Sequence, residues 1–236
     1  MEKLEKCKVL DGSMLKLIAM LTMLIDHIGA VLGRYINAPL FTALGHTVDL
    51  YPVLRIIGRI SFPIYAFLLV EGFLHTKNVK KYARDLLLLA LISEIPWNLA
   101  HGGRLLYGVQ NVMFTLLLGL LGIWVIRDLQ DDRKKQALYL LGLLAAAILL
   151  RADYGCAGFG FILMLYLLRE TPLYRAVVGT CFFSGGWIAG LAFIPIGMYN
   201  GKRGFIQGKA LKYAFYAFYP LHLFILYAIW KTTFPY

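Results

Sequence analysis

The chain has 236 residues, 60% of them hydrophobic, and a mean hydropathy of +0.68, against about 45–50% apolar usage in soluble domains; it reads as a single transmembrane helical domain over 1–236 with no room for a sizeable soluble one. The formal net charge of +11 lies in short Lys and Arg clusters between apolar runs, the pattern of membrane loops rather than of a nucleic-acid surface. Cys7, Cys156 and Cys181, with no CxxC spacing, make no disulfide framework, and no metal-ligand spacing occurs.

Segment 1–11 is polar and lysine-bearing, and the apolar run behind it lacks a small-residue cleavage site, so it reads as a signal anchor that stays. The first predicted span covers 14–35, capped by Asp11 and Ser13. The second covers 51–75; its start carries Arg55 and Arg59, and Pro63 is expected to kink it. The third covers 79–99 and is interrupted near Pro96. A polar loop, 101–107, leads to a fourth span at 109–126, which the charged segment 127–135 closes. A fifth span covers 136–150 and a short sixth 156–168; then come a Gly-interrupted apolar stretch, 173–198, and a last span at 213–230.

Positive-inside counting places the N-terminus and the loops 77–84, 127–135 and 169–175 on the cytoplasmic side. Lys202, Arg203, Lys209 and Lys212 assign the loop 199–212 there too, yet one simple span over 173–198 would put it outside. Gly185 and Gly186 divide that stretch into halves of about 12 residues, each too short to cross. A re-entrant hairpin or a pair of half-helices restores the parity; a charge rule that fails locally is the alternative. The expected fold is an all-α polytopic membrane bundle of about eight segments, with 173–198 broken or re-entrant. It would sit in the inner (cytoplasmic) membrane with its N-terminus cytoplasmic.

An ionisable side chain within a bilayer is costly unless paired or hydrated, so each one inside a span is a functional candidate. Asp26 and His27 lie about 15–20 Å along the first helix and, as neighbours, project about 100° apart. Histidine is suited to taking and returning a proton near neutral pH, and a carboxylate would orient it. Asp26, Glu71 and Glu94 are the acids available, and a satisfied buried histidine is the bland alternative. Arg55 and Arg59, four apart, share a helix face that could hold a phosphate, pair with the acids or anchor the interface. Gln110 and Asn111 could donate to a substrate carbonyl or cap the fourth helix. Asp153 and Tyr154 occupy a very short loop, and His222 follows Tyr219 and Pro220 in the last span. Lys77, Lys80, Lys81, Lys202 and Arg203 suit an anionic ligand such as the phosphates of a nucleotide-like cofactor, or simply set topology and touch lipid head groups. The absence of P-loop, GxGxxG and GxSxG patterns argues against a nucleotide hydrolase, a dinucleotide enzyme and a serine hydrolase.

The runs LKLIAMLTMLIDHIGAVL, LRIIGRISFPIYAFLLVEGFLHTKNVKKY, LISEIPWNLA, QNVMFTLLLGLL, ADYG, MYNGKRG and FYPLHLFILY, in that order, resemble the TraX family over essentially the whole chain. That family takes its name from a conjugation protein that acetylates the N-terminus of F-type pilin, and more distantly its helices resemble the membrane acyltransferase superfamily. The resemblance implies acetyl-CoA as a cytoplasmic donor and an acceptor amine or hydroxyl, on a pilin-like peptide or a glycan, reached from the other side. It makes His27 the general base or transient acyl carrier, oriented by Asp26 or another buried acid. It gives Arg55 and Arg59 a role in binding substrate or cofactor phosphates. Glu71, Glu94, Gln110, Asn111, Asp153, Tyr154 and His222 fall on the family's polar motifs. A small-molecule or proton-coupled transporter, with buried acids and histidines as a relay, is the competing class; a non-catalytic scaffold is a weaker third.

Overall fold

The computed structural model describes residues 8–33, 35–36, 39–43, 46–182 and 187–234. Asp11 opens the first helix, α1 (Gly12–Val31), its side chain accepting from the backbone N–H groups of Ser13 and Met14. This is the expected cap, and it satisfies two of the donors a helix start leaves orphaned. Ser13 instead faces the chain's far end, its hydroxyl donating to the Arg203 carbonyl. A short antiparallel pair follows, β1 (Pro39–Ala43) and β2 (His46–Asp49), with Pro39 opposite Asp49 and Ala43 opposite His46.

The second predicted span is two helices, α2 (Leu50–Gly58) and α3 (Ser61–His75), joined at Arg59 and Ile60. The interruption falls four and three residues before Pro63, whose missing N–H and ring displace the Arg59 carbonyl from helical bonding, so the break expected of this proline is present and Pro63 itself sits in the first turn of α3. Gly58 sets the junction against α1, because a Cβ there would stand 2.1 Å from Asp26. The third predicted span runs unbroken through Pro96 as α4 (Val79–Gly102). Its packing along neighbouring helices outweighs one lost backbone bond. Then come α5 (Val112–Asp128), capped by Asn111, α6 (Arg133–Leu149) and α7 (Gly155–Leu167).

The Gly-interrupted stretch folds back on itself. Helix α8 (Pro172–Cys181) packs against the short helices α9 (Trp187–Gly190) and α10 (Phe193–Gly197), with Gly179 pressed on Phe193 and Gly190 on Thr180. The dividing pair Gly185 and Gly186 lies outside the described residues. The return brings Met198 back to the start of α1: Leu10 N–H donates to the Met198 carbonyl at 3.0 Å, and Asn200 N–H to the Leu10 carbonyl at 2.9 Å. Gly12 N–H donates to the Lys202 carbonyl at 2.8 Å. The basic segment 199–206 thus shares one end of the bundle with the N-terminus of α1, as a hairpin requires and a single crossing would not allow. Helix α11 (Gly208–Thr233) begins five residues before the predicted span and runs back past α4 and α1.

Three helical stretches, Gly12–Val31, Leu50–His75 and Gly208–Thr233, are long and apolar enough to cross a membrane. Large apolar side chains face outward on α4 (Leu88, Leu91, Ile92), α6 (Leu138, Leu141) and α11 (Leu221, Phe224), whereas His27, Ser93, Asn98, Asn111, Thr115 and His222 are buried. Apolar outside and polar inside is the arrangement lipid imposes.

Candidate functional site

Asp26 and His27 diverge, as adjacent residues on a helix must. The Asp26 carboxylate pairs with Arg55 at 2.5 Å and lies within electrostatic reach of Arg59. Arg55 also donates to the Asp26 backbone carbonyl, which pins α2 across α1. Around this pair sits a second polar knot. Gln110 N–H donates to the Arg151 carbonyl at 3.1 Å, and Asp153 N–H to the Gln110 carbonyl at 2.9 Å. Thr115 Oγ1 donates to the Asp153 carbonyl. Tyr154 is left-handed (φ 62°) and its ring lies flat on Phe62, centroids 3.9 Å apart. Burial first, then the nearby Asp26 charge, pushes the Asp153 carboxyl up to about 6, against the Tyr154 N–H and the two arginines.

His27 faces a different group. It is 7% exposed, and its Nδ1 lies 2.6 Å from Nε2 of His222, itself 5% exposed. His222 is held from behind, its Nδ1 2.7 Å from the Phe218 carbonyl. Trp97 and Tyr219 each stand 6.1 Å and His101 5.9 Å from the His27 ring, centroid to centroid. Trp97 and His101 lie one on the other at 3.8 Å. Among the described residues no acid orients His27, which corrects the expectation that Asp26, Glu71 or Glu94 does so. The reason is placement. Glu94 accepts from the Asn111 side-chain amide at 2.6 Å, tying α4 to the start of α5, and Asn111 caps that helix. Glu71 lies on a cavity wall beside Tyr199, whose hydroxyl is raised to about 12 by burial and then by that acid.

The cavity holds about 610 Å³, within the range of about 300–1,000 Å³ of small-molecule sites. Its mouth carries Lys16, Lys81, Arg203 and Lys212; its inner end reaches Met23 and Tyr219. Lys16 feels the charges of both Arg203 and Lys212, and Lys212 also pairs with Asp85 at 3.0 Å. Met23 is one turn before His27, and the Tyr219 ring packs 5.8 Å from that of His222. Lys80 and Lys202 are not among the lining residues, and Arg55 and Arg59 belong to the knot around Asp26. Of the cations expected to suit an anionic ligand, Lys81 and Arg203 line the cavity, together with Lys16 and Lys212. Sequence reading passed over Lys16, Trp97, His101 and Tyr219. Trp97 and His101 are four apart, and Tyr219 and His222 three apart, spacings that share a helix face.

Apolar helices around a buried polar interior define a helical membrane protein. The family model described as TraX protein matches residues 11–230, and the chain belongs to that family. A relative from Dichelobacter nodosus, described as "Probable fimbrial assembly protein FimC, serogroup H1", is 32% identical over 241 residues, covering 90% of this chain and 92% of that protein. No solved structure matches.

Proposed function

We propose that the chain is a membrane-embedded acyltransferase that moves an acetyl group from acetyl-CoA to an acceptor amine or hydroxyl, with His27 as general base. The observation that carries this reading is the cavity, which joins a basic mouth to the neighbourhood of a buried imidazole pair. Clustered cations destabilise one another and are relieved by an anion, so Lys16, Arg203 and Lys212 suit the phosphates of the donor. The apolar wall formed by Leu68, Leu86 and Leu89 suits its uncharged arm. At about 1.5 Å per residue, Lys16 and His27 are about 16 Å apart along α1, so phosphates at the mouth leave an extended arm reaching inward. Bound there, acetyl-CoA supplies an acetyl carbonyl activated as a thioester. His27 takes the acceptor's proton; Trp97, His101, Tyr219 and His222 hold its ring and keep water away.

The basic end faces the cytoplasm on this reading, in an inner membrane, where acetyl-CoA is available. The polar knot of Arg59, Asp153 and Tyr154 faces the acceptor from the other side. Fimbrial assembly in the relative's description supports a pilin-like N-terminus as acceptor, with a glycan hydroxyl as the other candidate. The hairpin of half-helices in α8 to α10 contributes none of the cavity's lining residues, whereas a transporter would set such halves around its site. Mass spectrometry of candidate peptides and sugars incubated with acetyl-CoA and the purified protein tests the proposal. An acceptor heavier by one acetyl group supports it; solute flux in liposomes without any acyl donor, and no acetyl product, would overturn it.

A further inference from the structure

We propose that His222 is a positioning residue that locks His27 into the tautomer protonated on Nδ1, leaving the lone pair on Nε2 as the reactive base. The chemical role of that lone pair rests on the acyl-transfer reading; the tautomer does not. A carbonyl oxygen can only accept, so the 2.7 Å contact between His222 Nδ1 and the Phe218 carbonyl puts a proton on that Nδ1. In a neutral imidazole the other nitrogen is then an acceptor. The other nitrogen, Nε2, faces His27 Nδ1 at 2.6 Å, and two lone pairs cannot meet at that distance. His27 Nδ1 must donate, and its Nε2 is left unprotonated.

Ring geometry supports the bond. The two planes differ by 9° with centroids 4.9 Å apart, and a 2.6 Å nitrogen contact at that separation sets the rings edge to edge rather than face to face. The N–H of one points along the lone pair of the other. Both side chains are buried, where a hydrogen bond is stronger than in water and a missing partner more costly. His222 takes the place that a carboxylate holds beside many catalytic histidines, with a difference of charge: it fixes the tautomer without adding a negative charge to an apolar interior. In the transfer, Nε2 takes the proton from the acceptor N–H or O–H as the acceptor's heteroatom bonds the acetyl carbon. The C–S bond breaks with its electron pair on sulfur, and Nε2–H then returns the proton to that sulfur, so that acylated acceptor and free thiol leave and His27 is restored. Throughout, Nδ1–H stays bonded to His222.

The test is solid-state NMR of histidine-15N-labelled protein in bilayers, with the His27 signals assigned from a His27→Gln variant. The expected result is a protonated Nδ1 and an unprotonated Nε2 on His27, with a through-bond correlation from Nδ1–H to His222 Nε2. His222→Phe should mix the His27 tautomers and cut acetyl turnover about 100-fold, whereas His222→Gln, whose amide oxygen can accept the same bond, should restore most of both. A wild-type His27 protonated on Nε2, or a tautomer unmoved in His222→Phe, would overturn the proposal. The expected tautomer in a protein that turns over no acetyl donor would uphold it and sink the acyl-transfer reading instead.

Discussion

Asp26 and His27 are neighbours in sequence but belong to different structures: the carboxylate meets Arg55 at 2.5 Å, the imidazole meets His222 at 2.6 Å. The adjacent residues therefore take part in two separate interactions, one that fastens α2 to α1 and one that joins two buried imidazoles across α1 and α11. The two should part company under mutation. Asp26→Ala strands a half-buried guanidinium, so apparent thermal stability in detergent should fall by an amount equivalent to about 1–3 kcal/mol, with acetyl turnover by the folded fraction changed less than about tenfold. Loss of all turnover at unchanged stability would show that Asp26 takes part in the chemistry.

The return of Met198 and Asn200 to Leu10 brings Lys202 to the end of the bundle where α1 begins, the end that carries Lys80 in the proposed topology. Single cysteines at these two positions should be labelled from the same side of sealed vesicles by a membrane-impermeant maleimide. Labelling from opposite sides would mean that 172–197 crosses the membrane once.

At the cavity mouth, Lys16→Gln and Lys212→Gln should each raise the KM for acetyl-CoA severalfold to tenfold while leaving kcat nearly unchanged, the mark of uniform binding energy. The effect should shrink at high salt. Lys80→Gln and Lys202→Gln, whose side chains are exposed outside the cavity lining, serve as controls and should leave KM unaltered.

Asp153 gives the fold a pH dependence of definite sign. Its carboxyl is raised to about 6 in the folded chain and titrates near 3.9 when unfolded, so between those values the folded state binds more protons. Its contribution is then fully present below about pH 4 and is lost as pH rises through about 6. The melting temperature of wild type relative to Asp153→Asn should therefore decline from pH 4 to pH 6.5 and then level off. A difference that rises over that window would mean that the arginines, rather than burial, dominate this carboxyl.

Legibility from sequence followed the range of the interactions. Asp11 as the helix cap and the divergence of Asp26 from His27 depend on local chemistry and reappear in the structure, and of the two ways to resolve the parity conflict at 173–198, a hairpin or a local failure of the charge rule, the fold has the first. Of the two prolines, Pro63 accompanies a break at Arg59 and Ile60 as its missing N–H dictates, whereas Pro96 leaves α4 continuous because tertiary packing carries the helix through it. The partner of His27 lies 195 residues away on α11, and no periodicity within a helix could select it over the nearer acids. A buried acid such as Glu94 reads as catalytic because it is expensive, but its cost is met by the Asn111 side-chain amide, a contact between α4 and the start of α5 that no spacing within one helix reveals.

The most direct test of the central claim is acetyl-group release or transfer from labelled acetyl-CoA by purified wild-type protein and by His27→Ala, both in nanodiscs and matched for thermal stability. The wild type should turn over the donor and the variant should lose at least about 100-fold, with donor binding retained because the cavity mouth is untouched. Full turnover in His27→Ala, with the fold intact, would contradict that claim.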